Sequence, residues 1–269
     1  MYHNFPIWRI RMEKNRFSKK KITCITILGI IALVFLFLLV KYNLYQKKLK
    51  ENVEKIDQLS IEATVIFDSE TEEAEHGTYD FEALRQTNPD IYAWIKLPGT
   101  KVDYPVLQSQ TDNKYLDTNI DGSSGYPGCI YSNKCNSKNF DDYITVLYGH
   151  NMKSGEMFGS LHQFEEKDFF DSFDTYTVET GEARYVYELY AAVTYKDDLI
   201  TAEYGTKTKE GRDHFVLSLE SCRETNGTYF KDNVRILGED KLLVLSVCIS
   251  GQDEQRYLVI SRLKERVEL

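Results

Sequence analysis

The clearest feature of the hydrophobic pattern is a run of nineteen uncharged, mostly apolar residues at positions 22–40. At about 1.5 Å per residue, a helix of this length spans about 29 Å, close to the ~30 Å hydrocarbon thickness of a bilayer. A helix in a soluble core would carry a polar face, and this run has none. The run therefore predicts a single N-terminal transmembrane helix. The small residues of a signal-peptidase site do not follow Val40, so we expect the helix to stay attached.

The segment after this helix is polar and highly charged. Positions 41–61 are typical of a charged helical continuation, and positions 62–75 are acidic and contain neither Gly nor Pro. We interpret 41–78 as an extracytoplasmic spacer and expect the folded domain to begin near Tyr79. That domain would cover residues 79–269, a length that suits one fold.

Most of the predicted domain consists of short apolar segments typical of β-strands, separated by Gly, Asn, Asp or Pro. The pattern predicts strands at 91–97, 104–108, 128–131, 143–148, 176–179, 183–195, 241–247 and 256–263. It predicts helices at 81–87, 155–173 and 209–222. Seven or eight strands with few helices favour a mainly β protein, built as a closed or nearly closed barrel with peripheral helices.

The charge along the chain is unevenly distributed. Positions 1–21 carry seven basic residues against a single acidic residue, Glu13, so this segment has a net charge of +6 in a chain whose total is −9. The positive-inside rule places this basic tail in the cytoplasm and the domain on the outer side of the membrane. The rest of the chain is strongly acidic, which argues against nucleic acid as a partner.

Motifs for metals and cofactors are absent from the sequence. It contains no CxxC, HExxH or DxDxDG spacing and no Gly-rich phosphate loop, so we expect no metal and no cofactor. Of the five cysteines, Cys24 falls in the transmembrane run, and Cys129, Cys135, Cys222 and Cys248 fall in the domain. Cys129 and Cys135 could form a local disulfide or remain two buried thiols, and both alternatives stay open.

Cys248 is a candidate nucleophile, because it closes an apolar strand and opens a loop, where a thiol is both held and reachable. Eight residues later Arg256 begins the next strand, so a hairpin would bring a guanidinium towards the sulfur. Nearby positive charge lowers the pKa of a thiol and stabilises the oxyanion of acyl transfer. The alternative interpretation is a small buried cysteine and a surface arginine paired with Asp253 or Glu254.

A thiol nucleophile needs a proton shuttle, and His150 suits this role best. It follows the predicted strand YITVLY directly after Gly149, so it also projects from a strand end. The other histidines are less suitable: His3 lies in the basic tail, His76 in the spacer, and His162 and His214 on predicted helices. No acidic third partner can be identified from spacing.

Five stretches of the domain carry a family resemblance. They are NPDIYAWIKLPGTKVDYPVLQ, DNKYL, YGHNMKSGEMFGSL, LSVC and RYLVISRL, spread over about two-thirds of the chain. In this order they resemble class B sortases, a family of cysteine transpeptidases. The resemblance implies a sortase-like eight-stranded β-barrel behind a membrane anchor. It also implies a single-pass protein of a Gram-positive type cell envelope, with its catalytic domain outside the cell.

The resemblance also assigns roles to individual residues of this chain. It implies a catalytic set of His150, Cys248 and Arg256. It implies contacts with the sorting peptide for Ser246, Asn113 and Leu116. One position departs from the family pattern, because the usual Thr before the cysteine is Val247 here. A hydroxyl expected near the substrate or the oxyanion is therefore missing.

The reaction implied by the resemblance is cleavage of a C-terminal sorting signal, of the NPxTN or LPxTG type, after its Thr. Cys248 would form an acyl-enzyme, and an amine of the lipid-linked peptidoglycan precursor would accept the surface protein. A pilin-polymerising sortase, with a pilin lysine as acceptor, is one alternative. The others are an exported cysteine protease with water as acceptor and a membrane-tethered binding domain without catalysis.

Overall fold

The computed structural model describes residues 19–64 and 77–269. The predictions for the basic tail up to position 18, for the acidic positions 65–76, and for His3 and His76 fall outside the described residues. The chain divides into two compact units after Lys48, and the second unit contains all the strands described below.

One helix, α1 (Lys19–Ala63), contains both the uncharged run and the charged helical continuation predicted after it. From Thr23 it includes a window that is long and apolar enough to cross a membrane, and none of that window is buried within the protein. So much exposed apolar surface would be costly in water. This part of α1 is therefore a candidate membrane span, at the position predicted from the sequence.

The last part of α1, which lies within the segment interpreted as a spacer, packs on the barrel. Ile56, Leu59 and Ala63 are buried and belong to the main hydrophobic core. Their spacing places them on one face of the helix. The compact unit consequently begins at Leu49, ahead of the predicted domain start at Tyr79. This apolar stripe is short and lies among many charged residues, so it did not stand out in the sequence.

Within residues 19–64 and 77–269, nine strands form one sheet. They are β1 (Ile91–Lys96), β2 (Asp103–Leu107), β3 (Ile130–Tyr131), β4 (Ile144–Gly149), β5 (Thr175–Thr180), β6 (Ala183–Lys196), β7 (Tyr229–Phe230), β8 (Leu242–Ile249) and β9 (Gln252–Glu268). The order β5-β1-β2-β3-β4-β8-β9-β6 is closed by pairing of β5 with β6. The predicted eight-stranded barrel is therefore confirmed, and β7 pairs with β6 as a short ninth strand.

Short helices connect the strands in the described part of the chain. The α-helices are α2 (Phe81–Thr87), α3 (Lys167–Ser172), α4 (Ile200–Glu203) and α5 (Lys209–Leu219). The 3-10 helices are Lys114–Leu116, Gly159–Glu165 and Glu220–Cys222. α2 agrees with the prediction for 81–87. The segment predicted as helical at 155–173 is instead a 3-10 helix followed by α3.

Strand β8 is buried on both faces, which explains its almost continuous apolar sequence. Side chains alternate along a strand, so Leu243, Leu245 and Val247 pack in the main core. Leu242 and Val244 pack in a second core with residues of α5. By the same alternation, Ser246 and Cys248 point to the side of the second core.

Asn136 completes the sheet where β3 is short. β3 has two residues and meets β4 at a single pair. The Asn136 side-chain amide donates to the carbonyl of Ile144 at 2.8 Å, and its oxygen accepts from the amide of Val146 at 3.1 Å. These two bonds replace bonds that a longer strand would make with β4.

We expect Ile56→Ala to lower the free energy of unfolding by about 2–4 kcal/mol, because it removes a buried side chain between α1 and the barrel. Ile61→Ala is the matched control in the same helix, since Ile61 is 76% exposed and Ile56 is 3% exposed. The control should change stability by less than about 0.5 kcal/mol. Urea denaturation of the full chain in detergent, monitored by tryptophan fluorescence, measures the free energy of unfolding of both variants. Equal stability of the two variants would contradict a structural role for this part of α1.

Candidate active site

All six residues singled out from the sequence line one cavity of about 280 Å³ at the ends of β4 and β8. They are His150, Cys248, Arg256, Ser246, Asn113 and Leu116. Tyr131, Tyr148 and the segment 197–199 also line it, and none of these was predicted. A larger cavity of about 480 Å³, beside α5, contains none of the six. The candidate active site is therefore identified by the predicted residues that line it, and not by the volume of the cavity.

The pairing of β4 with β8 brings His150 and Cys248 together. The two strands run parallel in an unbroken register whose last pair is Gly149 with Val247. The next residue on each strand is His150 or Cys248, so both leave the ladder at the same end. Close packing favours Gly149, because a Cβ atom there would lie 2.8 Å from Cγ of the Phe158 ring and would also meet Cδ1 of Ile130.

The imidazole of His150 is half-buried and held by two neighbours. Its Nε2 lies 2.6 Å from the carbonyl oxygen of Leu116, and its ring centroid lies 4.5 Å from that of Tyr126. A carbonyl only accepts, so Nε2 carries a proton in this contact and Nδ1 is the nitrogen available as a base. Burial lowers the pKa of His150 below its ordinary value, against the smaller opposing effects of the Leu116 hydrogen bond and Asp117.

Arg256 is the direct partner of Cys248 in the antiparallel pair of β8 and β9. Its Nη2 donates to Oδ2 of Asp197 at 2.8 Å, although Asp197 lies 59 residues earlier in the chain. The two meet because β6, which ends at Lys196, pairs with the start of β9. Both side chains are partly exposed, so the ion pair adds little stability. Its main effect is to hold the guanidinium at the cavity.

The segment around Asn113 and Leu116 forms another part of the cavity wall. Asn113 has a φ of 59°, a left-handed conformation that Asn adopts more readily than most residues. Its Oδ1 accepts from the hydroxyl of Tyr131 at 3.0 Å. Leu116 is 42% exposed, so it presents apolar surface to the cavity. Ser246 contributes a mostly buried hydroxyl.

A cysteine, a histidine and an arginine thus line one cavity of a closed barrel. The family model of the sortase domain matches residues 95–264, more than half of the chain. The chain belongs to the sortase family. Sortases are cysteine transpeptidases, so the protein is an enzyme of this reaction class.

The relatives of this sortase include class B members. Sortase B of Listeria monocytogenes is 31% identical over 173 residues, covering 64% of this chain and 68% of the relative. Sortase B of Staphylococcus aureus is 25% identical over 250 residues, covering 91% and 97%. The X-ray structure of Clostridium perfringens sortase B matches with a TM-score of 0.61 at 26% identity, covering 69% of this chain and 100% of that one. These matches confirm the class B resemblance.

Val247, which stands where sortases usually have Thr, does not line the cavity. It is 1% exposed and packs in the main core. Ser246 and Cys248, the residues on either side, line the cavity instead. In this structure the side chain at position 247 therefore faces the barrel interior and not the cavity.

The other cysteines of this sortase are free thiols, so Cys129 and Cys135 are not bridged. Cys129 is buried, and burial raises the pKa of its thiol to about 12, which makes it a poor nucleophile at neutral pH. Cys248 is only partly buried and lines the cavity. Within residues 19–64 and 77–269, no group of three or more His, Cys, Asp or Glu side chains could hold a metal ion.

We expect the pKa of His150 to lie below its ordinary value of 6.5, because burial disfavours the imidazolium. Tyr126→Ala, which uncovers the ring, should raise the pKa towards 6.5. NMR titration of ¹⁵N-labelled histidines in the full chain measures both, with His150→Gln assigning the signal. A midpoint at or above 6.5 in the wild-type protein would contradict the burial argument.

The lowered pKa of His150 also makes the stability of the protein depend on pH. Unfolded His150 takes up its proton as pH falls through 6.5, while the folded form resists until lower pH, so stability falls over that interval. His150→Gln should make the free energy of unfolding less dependent on pH below 6.5. Urea denaturation of the full chain in detergent at several pH values, for the wild-type protein and this variant, measures the difference.

We expect Val247→Thr to lower the free energy of unfolding by about 1–2 kcal/mol, because it buries a hydroxyl in an apolar core. Turnover of a sorting-signal peptide per folded molecule should not change, since the side chain faces away from the cavity. Val267→Thr, at a half-buried position of β9, is the control for stability. A rise in turnover on introducing the family's Thr would contradict the assigned orientation.

Proposed function

We propose that this sortase cleaves a C-terminal sorting signal after its Thr and transfers the surface protein to an amine. In this proposal Cys248 is the nucleophile, His150 the acid and base, and Arg256 the anion stabiliser. The observation that carries the proposal is the convergence of these three side chains in one cavity from separate strand ends. Each of these three residues also matches the sortase motif position that has the same role.

The first half of the reaction forms an acyl-enzyme. His150 takes the proton of the Cys248 thiol, and the thiolate attacks the Thr carbonyl carbon to form a C–S bond. The guanidinium of Arg256 and backbone N–H groups stabilise the negative charge on the carbonyl oxygen. The scissile C–N bond then breaks, and His150 returns the proton to the leaving amine. The product is a thioester on Cys248.

The second half transfers the acyl group and restores the enzyme. A neutral amine attacks the thioester carbon, His150 takes the proton that the amine loses, and the C–S bond breaks to release the Cys248 thiolate. His150 then returns the proton to the sulfur. The lowered pKa of His150 supports this step, because the imidazole is then unprotonated and able to accept near neutral pH. We infer that the acceptor is an amine of the lipid-linked peptidoglycan precursor, and that the reaction joins the surface protein to the wall.

The cavity wall suits a peptide with both apolar and polar side chains. Leu116 and Leu199 are 42% and 48% exposed and both line the cavity. Ser246 and Asn113 add polar groups beside Cys248. We infer that a sorting signal of the NPxTN or LPxTG type binds here, with an apolar part on the leucines and its Thr carbonyl at Cys248.

The location proposed for the enzyme follows from α1 and the basic tail. Positions 22–40 would anchor the protein, the basic tail would stay in the cytoplasm, and the catalytic domain would face outwards in a Gram-positive type envelope. The candidate membrane span and the seven basic residues before it support this arrangement. An enzyme held at the membrane would meet its lipid-linked acceptor at the same surface.

We expect Cys248→Ala to lower turnover of NPxTN-like and LPxTG-like peptides by more than about a thousandfold, because the acyl-enzyme cannot form. Cys222→Ala, which changes a free thiol outside the cavity, should keep the wild-type rate. The full chain in detergent is incubated with each peptide, with and without an amine, and products are identified by mass spectrometry. Undiminished turnover in Cys248→Ala would refute the assigned nucleophile.

The products of the same experiment separate the transpeptidase from its alternatives. A Cys248-dependent product joined to the added amine is expected. Hydrolysis alone, even at high amine concentration, would favour an exported protease. The absence of Cys248-dependent turnover on either peptide would favour a binding domain.

A further inference from the structure

Backbone pairing ends close to the two side chains proposed for catalysis. The last pair of β4 and β8 is Gly149 with Val247, one residue before His150 and Cys248. On the other side of β8, the register with β9 becomes irregular between Cys248 and Ile249. The main chain of Cys248 therefore lies where one ladder has ended and the other is irregular. Cys248 still pairs with Arg256, but a nucleophile needs a fixed main chain, and contacts beyond this pair would hold it more firmly.

The side chain of Asn151 supplies one such contact. Its Nδ2 donates to the carbonyl oxygen of Cys248 at 2.9 Å and lies 3.3 Å from Oγ of Ser250. Asn151 directly follows His150, and its own carbonyl accepts from the hydroxyl of Tyr126 at 3.3 Å. The ring of that tyrosine packs against His150. Asn151 thus links the strand end that carries the histidine to the main chain of the cysteine.

His162, on the 3-10 helix Gly159–Glu165, provides a second contact with the same carbonyl. Its Nε2 lies 3.1 Å from the Cys248 oxygen, and its Nδ1 lies 2.5 Å from Oε1 of Glu165. Its ring stacks on buried Tyr257 with the centroids 5.4 Å apart. These neighbours fix the plane and position of the imidazole. A carbonyl oxygen has two lone pairs, so it can accept from Asn151 and His162 together.

The arrangement keeps a donor at the Cys248 carbonyl whichever form His162 adopts. An ionised Glu165 only accepts, so Nδ1 of His162 is the donor in that contact. As an imidazolium, His162 also donates from Nε2 to the Cys248 carbonyl. As a neutral ring, it accepts at Nε2 from Nδ2 of Asn151, 3.0 Å away. Asn151 has two N–H groups, so its bond to the carbonyl persists in both cases.

We propose that Asn151 is a positioning residue for the nucleophile, with His162 as the second donor when its ring is an imidazolium. The two side chains fix the carbonyl of Cys248, and with it the direction in which Sγ points relative to His150 and Arg256. The inference rests on the proposed function, because it takes Cys248 and His150 as the reacting pair. Neither Asn151 nor His162 lines the cavity, so they act through Cys248 and not on the substrate.

Asn151→Leu tests the inference, because leucine has a similar branched shape and no donor. We expect its kcat to fall by about tenfold to a hundredfold, since small displacements of a reacting group have effects of that size. KM should stay near the wild-type value. The pH profile of Cys248 alkylation by iodoacetamide, located by peptide mass spectrometry, should shift, because the sulfur moves relative to Arg256 and His150.

A second pair of variants separates hydrogen bonding from packing at His162. His162→Leu removes the donor and should lower kcat, whereas His162→Gln keeps an N–H near the position of Nε2 and should restore most of it. If Asn151→Leu does not fold, this pair still tests whether hydrogen bonds to the Cys248 carbonyl affect kcat. Ile56→Ala is the control for stability alone, since it removes a core side chain and keeps both donors, and it should leave the alkylation profile unchanged.

All variants are measured as the full chain in detergent, with kcat expressed per folded molecule. Wild-type kcat and alkylation profile in Asn151→Leu, with Cys248→Ala still inactive, would overturn this inference and leave the proposed function standing. Equal loss in His162→Leu and His162→Gln would overturn the role of His162 as a donor. Turnover by Cys248→Ala would overturn the proposed function, and this inference with it.

Discussion

The parallel pairing of β4 with β8 is the constraint on which the candidate site depends. Six consecutive pairs, from Ile144 with Leu242 to Gly149 with Val247, fix the two strands against each other. Neighbouring strands lie about 4.8 Å apart, so the residues that directly follow the last pair begin close together. The imidazole and the thiol come from distant parts of the sequence. They become neighbours because this ladder holds their strands in register.

The register of β8 determines which of its side chains face the cavity, as well as how the strand packs. Along β8 alternate side chains fill two different cores, and Cys248 belongs to the set that faces away from the barrel interior. A slip of one residue would turn the thiol into the main core and bring Val247 to the cavity. Apolar packing on both faces of the strand makes such a slip costly. The packing that stabilises the barrel therefore also orients the thiol of Cys248.

Local sequence patterns predict the elements of this fold whose position depends only on neighbouring residues. The strand that ends at Cys248 was found because its apolar run is long and bounded by a polar loop. β7 (Tyr229–Phe230) was missed because two residues show no periodicity. Asp197 was missed for a different reason, since its pairing with Arg256 depends on the register of β6 with β9, which spacing cannot reveal. The buried face of α1 at Ile56 was hidden by the charges around it.

Closure of the barrel also limits how a peptide can be recognised. An open sheet can bind an extended peptide as an additional strand, through a row of free backbone N–H and C=O groups. Here β5 pairs with β6, which closes the sheet. The Asn136 side-chain amide hydrogen-bonds to backbone groups of β4 that the short β3 does not pair with. In the part of the chain that the structure describes, the barrel strands thus offer little backbone for strand addition. Recognition falls to side chains in loops and at strand ends, so substrate preference can diverge by point substitution while the barrel stays intact.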